Sequence, residues 1–121
     1  MAKNLEISLL LDFYGPLITE KQRELTEQYY NDDLSLSEIA QIEGITRQGV
    51  RDAIKRAEQQ LLQMETELGM VSRFRKIGKE ISSIAQIAEK IIDENNANGG
   101  PVRIDEYANE ILQKAAGLRE T

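Results

Sequence analysis

Four side chains that can bind nucleic acid recur at helical spacing near the middle of the chain. They are Arg47, Gln48, Arg51 and Lys55, with Asp52 among them. Arginine can pair with guanine edges and glutamine with adenine edges, whereas lysine and arginine hold phosphates. Helical periodicity places them opposite three apolar residues, which are Val50, Ile54 and Ala57. The pattern predicts a helix with one buried side and one side suited to the major groove of DNA.

The residues before this helix predict how it is presented. Ser35 followed by Glu38 is a capping box, and Gly44 suits the left-handed residue that ends a helix. Thr46 can cap the next helix through its side-chain oxygen. The inner side of the short helix is expected to consist of Ile39, Ala40 and Ile42. Together these features predict a helix-turn-helix, whose second helix begins with the base-contacting residues. The alternative is two packed helices with a solvated charged face.

Two residues depart from the usual motif. Glu43 stands where an apolar residue commonly packs the turn, and we expect it to reach solvent while Ile42 covers the gap. Gly49 lies inside the second helix, where glycine costs about 1 kcal/mol relative to alanine. It permits either close approach of a partner or tight packing within the protein, and the sequence leaves both open.

Composition favours an all-α protein without catalytic chemistry. The 121 residues are rich in helix formers and include only two prolines and no tryptophan. Histidine and cysteine are both absent, which removes disulfides, thiol chemistry, the commonest metal ligand and the commonest general base. No glycine-rich phosphate loop is evident. We therefore expect no enzyme activity, no cofactor and no metal site.

The formal net charge of -6 restricts how nucleic acid could be bound. A non-specific binder would normally be basic, so any DNA binding here must come from a local positive face and be sensitive to salt. No apolar run approaches the roughly 20 residues of a membrane span, and the N-terminus lacks the order of a signal peptide. These features predict a cytoplasmic protein without membrane insertion.

Apolar periodicity and capping residues predict helices along the rest of the chain. Besides the short helix after Ser35, we expect a short helix within residues 1–14 that ends before Gly15 and Pro16, and helices at about 20–30, 47–68, 70–95 and 104–116. The Asn, Gly and Pro content of residues 95–101 predicts a flexible turn or linker. The expected organisation is a helix-turn-helix domain at 1–68, which includes the start of a long helical arm, and a C-terminal helical extension at 69–121.

The helical arm carries a regular apolar series. Its members are Val50, Ile54, Ala57, Leu61, Met64 and Leu68, spaced alternately by four and three residues. This is the period of a coiled-coil seam, and its outer half needs a partner. A homodimer would supply one and would present two recognition helices to two DNA half-sites. The alternative is an intrachain hairpin with the C-terminal helices.

The densest positive cluster follows the arm. It comprises Arg73, Arg75, Lys76 and Lys79. Such a cluster is commonly a solvated face. The sharper alternative is an auxiliary contact with DNA phosphate or an RNA backbone, because those anions attract a positive patch.

Several runs of residues resemble the small bacterial YlxM-like family. They are Leu11-Asp12-Phe13-Tyr14, Leu17-Ile18-Thr19-Glu20-Lys21-Gln22-Arg23, Tyr29-Tyr30-Asn31-Asp32-Asp33, Ser35-Leu36-Ser37-Glu38-Ile39-Ala40, Arg47-Gln48-Gly49-Val50 and Ile54-Lys55-Arg56-Ala57-Glu58. The resemblance covers roughly residues 5–68. That family is similar in turn to the DNA-binding region 4 of sigma factors, which is a helix-turn-helix.

The resemblance implies a DNA-binding regulatory protein associated with the signal recognition particle pathway. Carried over onto this sequence, it makes Arg47, Gln48, Arg51 and Lys55 the contact positions, with Thr46 and Arg56 nearer the phosphates. The alternative function is a module that binds the particle's protein or RNA without reading DNA sequence.

Overall fold

The computed structural model describes residues 3–119, which form six α-helices and no strand. The helices are α1 (Ile7–Tyr14), α2 (Glu20–Tyr30), α3 (Leu36–Glu43), α4 (Arg47–Leu68), α5 (Met70–Ala97) and α6 (Val102–Arg119). A 3-10 turn at Gly15–Leu17 joins α1 to α2. The all-α class, with a helix-turn-helix, a long arm and C-terminal helices, is therefore confirmed. Parts of the predicted first helix and of both predicted domains, at residues 1, 2, 120 and 121, lie outside the described residues.

The chain divides into two compact units, of which the first ends at Val71 and the second begins at Ser72. The first unit therefore contains α1 to α4 and the first two residues of α5. The second contains the remainder of α5 and α6. No helix within residues 3–119 is long and apolar enough to cross a membrane.

One core cluster of the first unit holds the helix-turn-helix together. It consists of Leu25, Tyr29, Leu36, Ile39, Val50 and Ile54. Helix α2 therefore lies behind both helices of the motif and contributes two of the buried side chains. A capping box at Thr19 and Gln22 starts α2. Burying these side chains contributes about 1.5–3 kcal/mol each, so the motif depends on α2 for its stability.

A second cluster covers the outer half of the long helix α4. Ala57 and Leu61 are fully buried against α1, with Leu10, Leu11 and Tyr14 among their neighbours. The sequence predicted that a second chain or the C-terminal helices would be needed to cover this seam. Helix α1 covers it instead, because the turn at Gly15–Leu17 brings α1 back alongside α4. Only the distal end of the series stays open, where Leu68 is exposed.

Hydrogen bonds join α1, α4 and the start of α5 within the first unit. Tyr14 donates its hydroxyl proton to Glu65 Oε1 at 2.6 Å, and the Met70 amide donates to the Tyr14 hydroxyl oxygen at 3.1 Å. The Val71 amide donates to the same Glu65 oxygen at 3.0 Å. Two amides that α5 leaves without helical partners are thereby satisfied. Gly69, with φ of +63°, ends α4 in the left-handed conformation and permits this junction.

In the second unit, α5 and α6 form an antiparallel helical hairpin with a small core. Ile81 and Ala85 of α5 cluster with Ala115 of α6, and Leu112 packs against them. The predicted break at residues 95–101 is shorter than expected, because α5 continues to Ala97. Asn95 stabilises the connection by donating its side-chain amide to the Pro101 carbonyl at 2.9 Å and to Asp105 at 3.0 Å.

Candidate nucleic-acid interface

Local hydrogen bonds set the geometry of the turn between α3 and α4. The Glu38 amide donates to Ser35 Oγ at 3.0 Å, and the Ser35 amide donates to Glu38 Oε1 at 3.1 Å, which completes the predicted capping box. Gly44 ends α3 with φ of +68°. The Gly49 amide then donates to Thr46 Oγ1 at 2.9 Å and caps α4. Each of these features was predicted, because each depends on residues within a few positions of one another.

Helix α4 has the predicted division into a buried and an open side. Val50, Ile54 and Ala57 are fully buried. The candidate contact residues on the other side are exposed, except for Arg51, which is half-buried: Thr46, Arg47, Gln48, Arg51, Lys55 and Arg56. None of the four cations in this set forms an ion pair within residues 3–119. Their charges are therefore available to an anionic ligand.

Two residues of this open side are bound to each other. The Gln48 side-chain amide donates to Asp52 Oδ1 at 2.9 Å across one helical turn. The bond engages one of the two amide protons of Gln48 and links this side chain to the next turn of the helix. Asp52 also places one negative charge among the cations, so the face is mixed rather than uniformly basic.

The structure reverses the expected positions of Ile42 and Glu43. Ile42 is 62% exposed and does not cover the turn, whereas the Glu43 side chain is only 12% exposed. Glu43 accepts from Lys21 Nζ at 2.7 Å and from Gln28 Nε2 at 2.9 Å. Two polar groups of α2 therefore hold the end of α3 where an apolar contact was expected. The inner side of α3 consists of Leu36 and Ile39 instead of Ile42.

The environment of Glu43 shifts the pKa of three groups. Hydrogen bonds from Lys21, Gln28 and Glu24 lower the pKa of Glu43 to about 2. The Lys21 pKa is raised by its bond to Glu43. The Glu24 pKa is also raised, because its protonated form can hydrogen-bond to Glu43 and its ionised form is repelled. At neutral pH Glu43 is therefore an ionised acceptor that ties α3 to α2.

Gly49 is close to the cap of its own helix. A Cβ added at this position would lie 3.0 Å from Thr46 Oγ1, which accepts the Gly49 amide. The contact favours packing within the protein over close approach of a partner as the reason for this glycine. A larger side chain would press on the oxygen that caps α4.

A hollow beside the start of α4 contains a cation that the sequence did not indicate. Lys3 and Arg47 both line it. Lys3 Nζ lies 2.8 Å from Asp33 Oδ1 and 4.4 Å from the centre of the Tyr29 ring. Lys3 is separated from α4 by more than forty residues, so no local pattern could have placed it there.

The second predicted basic site lies on α5, in the other compact unit. Its members Arg73, Arg75, Lys76 and Lys79 are all exposed. They occupy the first two turns of that unit's part of α5, and Arg75 has a contact of its own. The cluster and the open side of α4 thus belong to different units of the chain.

A capped short helix, a left-handed glycine turn and a longer helix with an open cationic side define a helix-turn-helix protein. No group of three or more His, Cys, Asp or Glu side chains suited to a metal ion occurs within residues 3–119. The family model described as "Putative helix-turn-helix protein, YlxM / p13 like" matches residues 1–98. The chain therefore belongs to this family, UPF0122, which confirms the resemblance to YlxM-like proteins.

Individual relatives extend the similarity beyond the motif. A UPF0122 protein of Desulforamulus reducens is 45% identical over 84 residues, which cover 69% of this chain and 72% of the relative. One from Thermoanaerobacter sp. (strain X514) is 44% identical over 106 residues, covering 87% and 90%. One from Clostridium perfringens (strain 13 / Type A) is 38% identical over 115 residues, covering 94% and 96%. The similarity thus reaches both compact units.

Proposed function

We propose that this protein is a non-enzymatic regulator that binds double-stranded DNA through the first turns of α4. The observation that carries the proposal is the open side of α4, where Arg47, Arg51 and Lys55 form no ion pair within the described residues. These three positions are four residues apart and share one helix face. Arg47 and Lys55 lie about 12 Å apart along the axis, and the major groove is also about 12 Å wide.

The mixed charge of this face supports sequence-specific binding of DNA over non-specific binding to its phosphates. Arg47 and Arg51 can pair with guanine, and an acid such as Asp52 can accept from the amino group of cytosine. Asp52 also repels phosphate, so a wrongly placed helix gains less from the backbone. With a net charge of -6 on the whole chain, affinity must come from this local face. Thr46 and Arg56 flank it and are proposed to contact phosphates.

Fluorescence anisotropy with DNA fragments chosen by selection tests the proposal. Arg51→Ala is expected to weaken binding by about 1–3 kcal/mol and to reduce the dependence on salt. The matched control is Arg103→Ala, which removes an exposed arginine from α6 and should leave affinity unchanged. Binding that is equal at low and moderate salt, or equal losses in the two variants, would contradict DNA recognition by α4.

The proposal includes a homodimer and a cytoplasmic location. A dimer would carry two copies of α4 and engage two half-sites of an operator. The cytoplasm is the compartment that holds the DNA of bacteria such as the relatives named above. Because α1 already covers Ala57 and Leu61, pairing of the α4 arms is not required to bury them.

A second candidate is an interaction module that binds the protein or RNA of the signal recognition particle. The exposed cluster at Arg73, Arg75, Lys76 and Lys79 supports it, because it belongs to the other unit of the chain and its positive charges suit a phosphate backbone. Anisotropy with the particle's RNA and a pull-down with its protein subunit test this candidate. Replacing Arg73 and Lys79 together by alanine should reduce RNA binding and leave DNA binding by α4 intact. Absence of binding to both components would remove the candidate.

A further inference from the structure

The helical hairpin of the second unit buries few large apolar side chains. Its buried residues are Ile81, Ala85, Ala88, Ala108 and Ala115, of which four are alanines. Larger side chains of α5 remain in solvent, with Ile77, Ile84, Ile87 and Ile91 at 51%, 49%, 55% and 38% exposure. Single exposed apolar residues are ordinary, but a contiguous group of isoleucines is typical of an interaction surface.

The exposed isoleucines form one continuous stripe. Ile77, Ile84 and Ile91 repeat every seven residues and therefore share one face of α5, and Ile87 lies beside them. Helix α6 extends this stripe, since Leu118, which is also exposed, lines the same cavity as Ile77. We call this surface the isoleucine face. A seven-residue repeat is the spacing by which one helix packs along another.

Charge is divided between the two ends of the hairpin. Within residues 72–119, the open end, where α5 begins and α6 ends, has one acid (Glu80) and six basic residues: Arg73, Arg75, Lys76, Lys79, Lys114 and Arg119. The end with the connecting turn has two bases (Lys90 and Arg103) and six acids: Glu89, Asp93, Glu94, Asp105, Glu106 and Glu110. A second hairpin therefore matches the first when the two lie antiparallel, and is repelled when they lie parallel.

We propose that the isoleucine face binds the same face of a second copy of this chain, with the two α5 helices antiparallel. A two-fold axis near Ile84 then places Ile77 of one chain against Ile91 of the other, and the two hairpins form a four-helix bundle. In the same arrangement Lys76 comes near Glu94 of the second copy. The stripe supplies the apolar contact with a second copy, and the charge division selects the antiparallel orientation, because only that orientation places the basic end of one hairpin beside the acidic end of the other.

This inference rests on the dimer in the proposed function and names its surface, but it does not depend on DNA contact by α4. Sedimentation equilibrium of the full chain measures the dimer directly. Ile84→Glu is expected to weaken dimerisation by on the order of a hundredfold, since the substitution occurs twice near the axis. The matched control is Ile42→Glu, which changes an isoleucine of similar exposure on α3 and should leave the dimer intact. Circular dichroism shows that each variant keeps its helix content.

A charge exchange tests the orientation. Lys76→Glu and Glu94→Lys should each weaken the dimer by about tenfold, because each creates two like-charge contacts. The double variant should restore dimerisation to near the original constant. In a parallel dimer these two residues would not meet, so the single variants would leave the dimerisation constant unchanged. That result would overturn the antiparallel arrangement, and so would a double variant whose loss of dimerisation is the sum of the two single losses.

The two proposals fail in different ways. Arg51→Ala should lose DNA affinity and remain dimeric, whereas Ile84→Glu should become monomeric and lose only the gain from two linked half-sites. A wild-type chain that is monomeric at tens of micromolar, or a dimer unaffected by Ile84→Glu, would overturn the isoleucine face as the dimer surface. Loss of DNA binding by α4 would leave it standing.

Discussion

The two long helices, α4 and α5, have almost the same apolar spacing but differ in how much of it is buried. In α4 the residues Val50, Ile54, Ala57 and Leu61 are fully buried. In α5 the corresponding series, which steps through Phe74, Ile77, Ile81, Ile84, Ala88 and Ile91, leaves most of its large members exposed. Helices α1, α2 and α3 surround α4, whereas α5 has α6 alone within its unit. A heptad-like period therefore predicts an apolar stripe but not what covers it.

The difference lies in how many helices each unit provides to cover its apolar stripe. The first unit uses its helices to hold α4 from behind, so that the opposite side is free for a ligand. The second unit has too few elements to cover its own stripe, and this exposed stripe is the surface proposed above to pair with a second copy. The same physical rule, that burial of apolar area is favourable, explains why α4 is covered within its own unit and why the exposed α5 stripe is a candidate for contact with a partner.

The largest expected effect on stability comes from truncating a side chain of the buried apolar series of α4. Leu61→Ala should lower the free energy of unfolding by about 3 kcal/mol, because Leu61 is fully buried against α1 and its truncation leaves a cavity. Its neighbour Leu62 is 41% exposed, so Leu62→Ala should cost less than about 1 kcal/mol. Urea unfolding with hydrogen exchange of the α4 amides compares the two. Equal losses would mean that α1 does not protect α4 in solution.

A smaller effect on stability is expected from replacing the glycines inside the two long helices. A Cβ at Gly78 of α5 would meet nothing within 4 Å, so Gly78→Ala should raise stability by about 0.5–1 kcal/mol through helix propensity. A Cβ at Gly49 of α4 would lie 3.0 Å from Thr46 Oγ1, so Gly49→Ala should gain less or nothing. Thermal unfolding of both variants measures the difference. A larger gain in stability for Gly49→Ala than for Gly78→Ala would show that the Thr46 side chain can move away from the added methyl group without weakening the cap.

The smallest expected effect is a contribution of Glu43 to stability that depends on pH. The folded pKa of Glu43, about 2, is below the usual 4.5, so its contribution to stability is complete above pH 4.5 and is lost as pH falls towards 2. Glu43→Gln should therefore destabilise the first unit at neutral pH, and the difference from wild type should vanish near pH 2. Glu24→Gln is the control, because it removes a neighbouring negative charge and should not destabilise at neutral pH. Unfolding curves at several pH values test both, and a difference that persists at pH 2 would contradict the ionic role of Glu43.

Much of the candidate site could be predicted because it is built from local contacts. The caps at Ser35 and Thr46 and the turn at Gly44 join atoms within four residues of each other, and the buried side of α4 follows from helical periodicity. The bond between Gln48 and Asp52 also fits this spacing. Glu43 could not be placed, since its partners Lys21 and Gln28 are 22 and 15 residues away. Lys3, which lines the same hollow as Arg47, could not be placed either, because more than forty residues separate the two.

By itself the sequence determined the helical class, the start and end of α2, α3 and α4, and which cations share the open side of α4. These properties depend on propensity, capping and periodicity, which act over a few residues. Only the tertiary structure decided that α1 covers the outer half of α4, that Glu43 replaces Ile42 at the turn, and that the α5 stripe stays exposed. Such outcomes depend on which distant surfaces bury the most apolar area together. The apolar periods of α4 and α5 are too similar to reveal which of the two stripes is covered.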